Sequence, residues 1–449
     1  MSRLGFCLCA AAAAMGIWLL FALYLGPAAG PGWFPLPVDA VLAFAAAAAL
    51  LGAAGVALRR GPVALAVLLA GAGAPLANTR LIGSQDTEPG AQLLFSVVRE
   101  GSLTLPGPAG NVVPVDGGKF ASRYPVATPL LALPVGLPAT AGHGEQTLKF
   151  RNVVEKLCAS VLTGVMLALL FVAQRRLAGA KPALIAAALT LLGTPALPIL
   201  GQALWQHTGA ALALAAGLVS LGSPAGARRS LLVGVCAGVA VACRPPDLPL
   251  ALGLLWLDRR PVAALGAAVP VLLTLLYQGA MFGSVLRTGY GAEASIGWRP
   301  PWPDGAVGFA GVWISPARGI AACYPIILFG LWGLWRLREL RPLALSILAG
   351  SAVMGCWWAW EGGWCQGPRM LADAIPFLGL GLAVALRESS AWRRPARAAL
   401  IAAAALSCAT AMALAYVYPK REAFARFGQL RDGPWTPRAY PLLAYLLPR

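Results

Sequence analysis

The chain is poor in charge. Only 12% of its 449 residues are Asp, Glu, Lys or Arg, while 59% are hydrophobic; soluble domains carry roughly a quarter of charged residues. That balance excludes a water-soluble globular protein and implies a polytopic membrane protein. Histidine is limited to His143 and His207, and no HExxH, GxxxxGKS/T or GxGxxG string occurs. Zinc peptidase, P-loop NTPase and dinucleotide-binding oxidoreductase readings therefore have no residues to stand on. There are nine cysteines but no CxxC spacing, and Cys7, Cys9, Cys158, Cys236, Cys323, Cys356 and Cys408 fall in apolar stretches, which argues against a disulfide framework or a zinc site. Acidic residues are few, 17 against 35 Lys and Arg, for a net charge of +18. The basic residues sit mostly between apolar runs, so they mark topology and not nucleic-acid binding.

What is abundant is the long apolar run. At roughly 20 apolar residues per crossing, about thirteen spans emerge, near 4 to 26, 38 to 58, 61 to 78, 153 to 173, 182 to 200, 208 to 222, 230 to 243, 247 to 257, 262 to 282, 319 to 335, 342 to 360, 370 to 386 and 397 to 418. The fold class is all-α and polytopic. Arg59-Arg60, Arg175-Arg176 with Lys181, Arg228-Arg229, Arg259-Arg260, Arg336 to Arg341 and Arg387 to Arg397 fall between every second pair of spans. All of them, with Arg3, land on one side, the cytoplasm. The first span is longer than the apolar core of a signal peptide. One transmembrane domain over 1–418 is expected, with 79–152 as a long extracytoplasmic loop and 419–449 as a short extracytoplasmic tail.

Loops this long are functional or disordered, and this one holds Asp86, Glu88, Glu100, Asp116 and Glu145. GAQLLFSVVREG predicts an amphipathic helix with Leu93, Leu94, Val97 and Val98 on one stripe, and YPVATPLLALPVGLP is apolar and proline-punctuated. Both segments are expected to lie along the membrane surface.

Gln85-Asp86-Thr87-Glu88-Pro89 follows the third span almost at once. A carboxylate at the bilayer's outer edge is placed to take a proton from a hydroxyl if a partner orients it; alternatively, Asp86 or Thr87 caps the following helix, with Glu88 complementing its dipole. Arg318, Arg369, Lys119 and Arg123 lie on the same face and suit a phosphate, or they snorkel to lipid headgroups. Arg369 and Asp373, four apart, point to mutual neutralisation on one helical face. Trp357, Trp358, Trp360 and Trp364, with Trp298, Trp302 and Trp313, read as an aromatic belt or as sugar-stacking rings. Gln206 and His207 can hydrogen-bond a sugar or a phosphate, or His207 is a satisfied structural histidine, and Arg244 and Asp247 read as caps of a broken helix pair.

Taken in order, the strings QDTEPGAQLLFSVVREGSLTL, SRYPVATPLLALPVGLPA, GQALWQHTGAALALAAGL, YQGAMFGSVLRTGYG, WISPARGIAACYPIILFGLWGL and WWAWEGGWCQGPRMLADAIPFL resemble the GT-C superfamily of integral membrane glycosyltransferases. The resemblance is to bacterial relatives of the dolichyl-phosphate-mannose protein mannosyltransferases and the lipid A aminoarabinose transferase. It implies a GT-C-like fold, a polyprenyl-phosphate sugar as donor, and inverting transfer to a hydroxyl of a glycan, lipid or protein. It further implies the extracytoplasmic side of the bacterial cytoplasmic membrane, with the N-terminus inside. The family's general base carries over onto Asp86, with Glu88 as the second acid; many relatives have adjacent acids where this chain has Asp-Thr-Glu. Arg318, Arg369, Lys119 and Arg123 would hold the donor phosphate, and Tyr124, Gln206, His207 and Trp364 would line the substrate pocket. No metal is required by these residues, although Asp86 and Glu88 leave room for a weak divalent cation. A secondary transporter or flippase of a lipid-linked precursor is the rival reading, and a non-catalytic scaffold of the cell envelope is a third.

Overall fold

The computed structural model describes residues 63–78, 81–108, 110–141, 147–291, 293–363, 365, 367–416, 434–435 and 440–442. The expected spans at 4–26 and 38–58, His143, and nearly all of the tail lie outside the described residues. The described residues begin with α1 (Val63–Leu76) and α2 (Glu88–Glu100), followed by β1 (Val112–Val115), β2 (Lys119–Ser122) and α3 (Ala127–Ala141). The bundle then runs through α4 (Leu148–Ala178), α5 (Ala180–Leu192), α6 (Gln206–Leu221), α7 (Ala227–Cys243), α8 (Leu248–Asp258) and α9 (Pro261–Phe282). It is completed by α10 (Ala306–Ile314), α11 (Ile326–Arg336), α12 (Arg341–Gly355), α13 (Ile375–Glu388) and α14 (Arg394–Tyr416).

Among the described residues four helices are long and apolar enough to cross a membrane: Leu148–Ala178, Pro261–Phe282, Ala372–Ala391 and Arg394–Tyr416. Shorter apolar helices accompany them, including α1, α5, α6 and α11. The helices pack through small residues, which let backbones approach closely where lipid supplies no hydrophobic drive. In the α7–α9 crossing a Cβ on Gly234 would run into the Ala263 carbonyl, and one on Gly238 into that of Ala267. In the α11–α13 crossing Gly333 and Gly381 stand in the same relation. The core runs through α4, α6, α8, α11 and α13, with Leu170, Leu214, Leu254, Ile327 and Phe377 buried. By contrast α9 keeps Leu265, Leu272, Leu273 and Leu276 more than half exposed.

Most helix limits fall near the apolar runs, and the departures have local causes. The expected span 319–335 breaks before Pro325, which lacks an N–H and restricts Tyr324; a single turn at Ile320–Cys323 precedes α11. The span at 182–200 stops at Leu192 and resumes after Pro195 as a wide turn over Ala196–Leu200. The expected helix through 370 begins only with a tight turn at Ala372–Ala374, which undoes the expected pairing of Arg369 with Asp373. The outer loop 283–318 contains α10, which the apolar runs did not reveal.

In the first large loop α2 forms over the expected amphipathic stretch, and the proline-punctuated segment folds as α3. Leu94 and Phe95 of α2 and Ala132 of α3 bury against Val154 and Cys158 of α4. Between them β1 and β2 pair antiparallel, from Val112↔Ser122 to Val115↔Lys119, turning through Gly117 and Gly118 at φ 75° and 69°. The basic clusters within the described residues gather at one end of the bundle. Arg176 donates to the Val219 carbonyl, Arg387 to that of Leu177, Arg229 to Asp258 and Arg336 to Glu388.

Candidate active site

At the other end lies a cavity of about 1370 Å³ lined by Asp86, Tyr124, His207, Arg244, Tyr290 and Arg369 among others. The segment leading into it is anchored to α4, where the Lys156 ammonium meets the Asn78 side chain and carbonyl. A tight turn follows: the Thr87 amide donates to the Ser84 carbonyl at 3.0 Å and the Asp86 amide to Ser84 Oγ at 3.2 Å. The turn frees the Asp86 side chain. Neither Asp86 nor Thr87 makes a side-chain cap on α2, so the capping alternative does not describe this carboxylate.

Asp86 instead collects donors from three distant segments. Tyr124 donates to Oδ1 at 2.7 Å, Asn111 Nδ2 to the same oxygen at 2.8 Å, and Arg369 Nη1 to Oδ2 at 3.0 Å. A carboxylate offers about four lone-pair directions; among the described residues both on Oδ1 are filled and one on Oδ2 remains. Burial alone would raise the Asp86 pKa, but the Arg369 charge and the bonds from Tyr124, Arg369 and Asn111 outweigh it and hold the group below its ordinary 3.8. The Tyr124 hydroxyl is driven the other way, by burial and then by the Asp86 charge, and stays protonated as the donor.

Each partner is braced in turn. Arg369 lies over the Trp205 ring at 4.8 Å, a cation–π contact, and its Nε is buried with no partner among the described residues. Tyr124 meets Tyr290 edge-on at 5.5 Å, and Gln206 donates to the Tyr290 hydroxyl at 3.3 Å. The loop carrying Tyr290 reaches this position because Gly289 passes against the Arg123 backbone, where a Cβ would collide. Beneath Asp86, the Glu155 carboxylate of α4 accepts from the Leu204 amide at 3.0 Å and lies within reach of the Thr87 hydroxyl. It ties the Asp86 turn to the loop that carries Trp205.

The floor is a buried ionic cluster. Arg244 Nη1 donates to Asp247 at 2.8 Å and to Asp373 at 2.6 Å, and His207 Nδ1 lies 2.8 Å from Asp373. Among the described residues Arg244 Nη2 faces only the sulfurs of Met354 and Met370, at 3.3 and 3.7 Å. Asp373 is thus neutralised by Arg244 and not by Arg369, because the two residues expected to pair sit in a loop and a tight turn, not on one helix.

Of the residues singled out from the sequence, Asp86, Arg123, Tyr124, Gln206, His207 and Arg369 line the cavity. Arg123 is paired with Glu293 and lies over Tyr290 at 5.5 Å. Glu88 is 3.5 Å from Arg151 and does not line the cavity, so the two loop acids are held by different arginines and do not converge. Among the described residues no His, Cys, Asp or Glu cluster is arranged to hold a metal ion. Lys119 is exposed on β2, away from the cavity. Arg318 is buried and spends its guanidinium on the carbonyls of Gly363, Cys365 and Gly367; it props the loop that carries Arg369 and does not face the cavity. Trp364 lies outside the described residues. Trp298 meets Trp357 at 5.1 Å, and both line the cavity with Trp358. Asn111, Trp205, Tyr290 and Glu155 were not anticipated in these roles. Trp205 adjoined two candidates; Asn111 sits in a featureless loop and carries no local signal.

No protein-family model and no curated protein matches the chain. Among solved structures it is similar to the Archaeoglobus fulgidus oligosaccharyltransferase. With the form in complex with zinc and sulfate it shares 14% identity at a TM-score of 0.44, over 85% of this chain and 57% of that one. With the apo form the figures are 13% and 0.43 over 86% and 60%. With the form tethered to an acceptor peptide they are 13% and 0.44 over 87% and 59%. The chain spans less than two thirds of that enzyme's length.

Proposed function

We propose that this protein is an integral membrane glycosyltransferase of GT-C type that moves a sugar from a polyprenyl-phosphate donor to an acceptor hydroxyl, with inversion. The observation that carries the reading is the Asp86 carboxylate, fixed by Tyr124, Asn111 and Arg369 at the wall of a large cavity with one lone pair of Oδ2 uncommitted among the described residues. A base so oriented accepts the acceptor's proton as that oxygen attacks the anomeric carbon. The bond from that carbon to the phosphate oxygen breaks, and polyprenyl phosphate leaves. Its charge falls to Arg369, whose Nε lacks a partner among the described residues, and to Arg244, whose Nη2 faces thioether sulfurs, a poor substitute for a phosphate oxygen. The cavity also has an apolar side made by Leu130, Val239, Leu273 and Tyr277, next to the lipid-facing leucines of α9, which suits a donor whose tail stays in the bilayer. On the basic-end rule the site opens on the extracytoplasmic face.

The test is complementation of a deletion strain with wild type or Asp86→Asn at matched membrane abundance, reading extracytoplasmic glycans and lipid-linked sugars by mass spectrometry. The expected outcome is loss of one glycan sugar, accumulation of its polyprenyl-phosphate form, and rescue by wild type alone. Full rescue by Asp86→Asn removes the base and moves the transporter or scaffold reading ahead.

A further inference from the structure

A second cavity, of about 450 Å³, lies at the basic end of the bundle, between the C-terminal ends of α4, α6 and α8 and the turn at Arg338–Leu340. It is separate from the Asp86 cavity, which gathers the N-terminal ends of α6 and α8. Arg176, Arg229 and Arg259 line it, with Trp256 and the apolar side chains of Leu218 and Leu257. A guanidinium has five N–H donors, and these are far from spent. Arg176 gives one bond to the Val219 carbonyl at 2.7 Å, and Arg259 one to the Trp256 carbonyl at 3.3 Å while lying over that ring at 5.9 Å. Arg229 places both its bonds on Asp258 Oδ1. Glu339 also lines the cavity and opposes an anion, but three cations against Asp258 and Glu339 leave the wall positive.

A second observation concerns the backbone. Arg259 is, among the described residues, the non-glycine residue at positive φ, 56°. It ends α8 where glycine is the easy choice, and a glycine there would have no side chain to offer the cavity. Strain retained at a side chain that lines a pocket is a mark of use.

We propose that this cavity binds a phosphate ester, the headgroup of an anionic phospholipid in the leaflet at the basic end. The lipid source follows from the walls: Trp256 is 61% exposed and Leu252 53% on the same helix, so the positive pocket opens beside an apolar surface, the pairing a phospholipid presents. The proposal is independent of the transferase reading.

The test uses the full chain, delipidated in detergent and titrated with phosphatidylglycerol or phosphatidylcholine under native mass spectrometry. Inorganic phosphate serves as competitor. Two variants probe the site: Arg176→Gln with Arg259→Gln, and Gly222→Ala, whose methyl would occupy the place of the Arg176 guanidinium without removing charge. Saturable phosphatidylglycerol binding, weakened roughly tenfold or more in both variants and insensitive to inorganic phosphate, is the expected result. Displacement by inorganic phosphate at similar concentration would retain the site but overturn the lipid as its occupant. Equal uptake of phosphatidylcholine, or unchanged binding in both variants, would overturn the proposal.

Discussion

Tyr124→Phe separates the role of the Asp86 environment from that of the carboxylate itself. The change deletes one oxygen from a residue whose ring stays packed on Tyr290, and removes the 2.7 Å bond to Oδ1. A hydrogen bond to a charged group contributes about 1.5–3 kcal/mol, and this one favours the ionised form, so its loss should raise the Asp86 pKa. In the wild type burial is overcome by Arg369, Tyr124 and Asn111, and the group sits below its ordinary 3.8, which favours the carboxylate form, the one able to accept a proton. In the variant burial loses one opponent. The acid limb of the transfer rate then moves to higher pH than in wild type, and the loss of rate is largest on the acid side. The stability term has the same sign. A lowered folded-state pKa stabilises above the unfolded value and is lost as pH falls through the folded one, so the variant should lose acid stability at a higher pH than wild type. The assay is single-turnover transfer in nanodiscs from acid to neutral pH, with thermal unfolding measured in parallel. An acid limb that does not move refutes the reasoning. So does an equal loss at every pH, which would assign Tyr124 to substrate binding.

Two further substitutions address the supports. Arg318→Ala strands three carbonyls of the segment before Arg369; at about 1–3 kcal/mol for each unsatisfied buried group the segment should open locally, seen as faster amide exchange over 363–369 and poorer use of both substrates. A selective defect in donor use would instead return Arg318 to the phosphate site. Glu155→Leu leaves the Leu204 amide unpaired and should lower transfer severalfold, whereas Glu155→Gln, which keeps an acceptor oxygen, should restore most of it; equal activity of Leu and wild type would deny Glu155 any part in holding the Trp205 loop.

The apolar runs located most described helices because each crossing must satisfy its backbone internally and face lipid or protein with carbon. They were blind where proline interrupts a run that stays apolar, as at Pro195 and Pro325, and they extended the 370 helix over a segment that is a loop and a tight turn. Asp86 was legible as a candidate because QDTEP follows the third span almost at once, at the outer edge where a carboxylate can meet a hydroxyl. Its partners were not, since Asn111, Tyr124 and Arg369 lie 25, 38 and 283 residues away, and no local pattern encodes such convergence. The same limit misled the reading of arginines. Arg318 and Arg369 both looked like phosphate ligands, and only their surroundings distinguish a guanidinium consumed by carbonyls from one that faces a cavity.

The arrangement of these arginines implies a division of labour along one short segment. Arg318 fixes the backbone at Gly363, Cys365 and Gly367, and Arg369, two residues further on, reaches across to Asp86. Four residues beyond it, Asp373 is locked by Arg244 and His207. The loop is therefore clamped on both sides of Arg369, while that side chain rests on Trp205 with Nε unpaired among the described residues. A cation whose backbone is fixed but whose guanidinium keeps an unused donor needs little reorganisation when negative charge develops beside it, the condition under which electrostatic stabilisation is most effective. In the proposed reaction Arg369 starts on the carboxylate that will accept a proton. As Asp86 is neutralised, the leaving phosphate gains the charge that Asp86 has lost, so the same arginine serves both without leaving its seat.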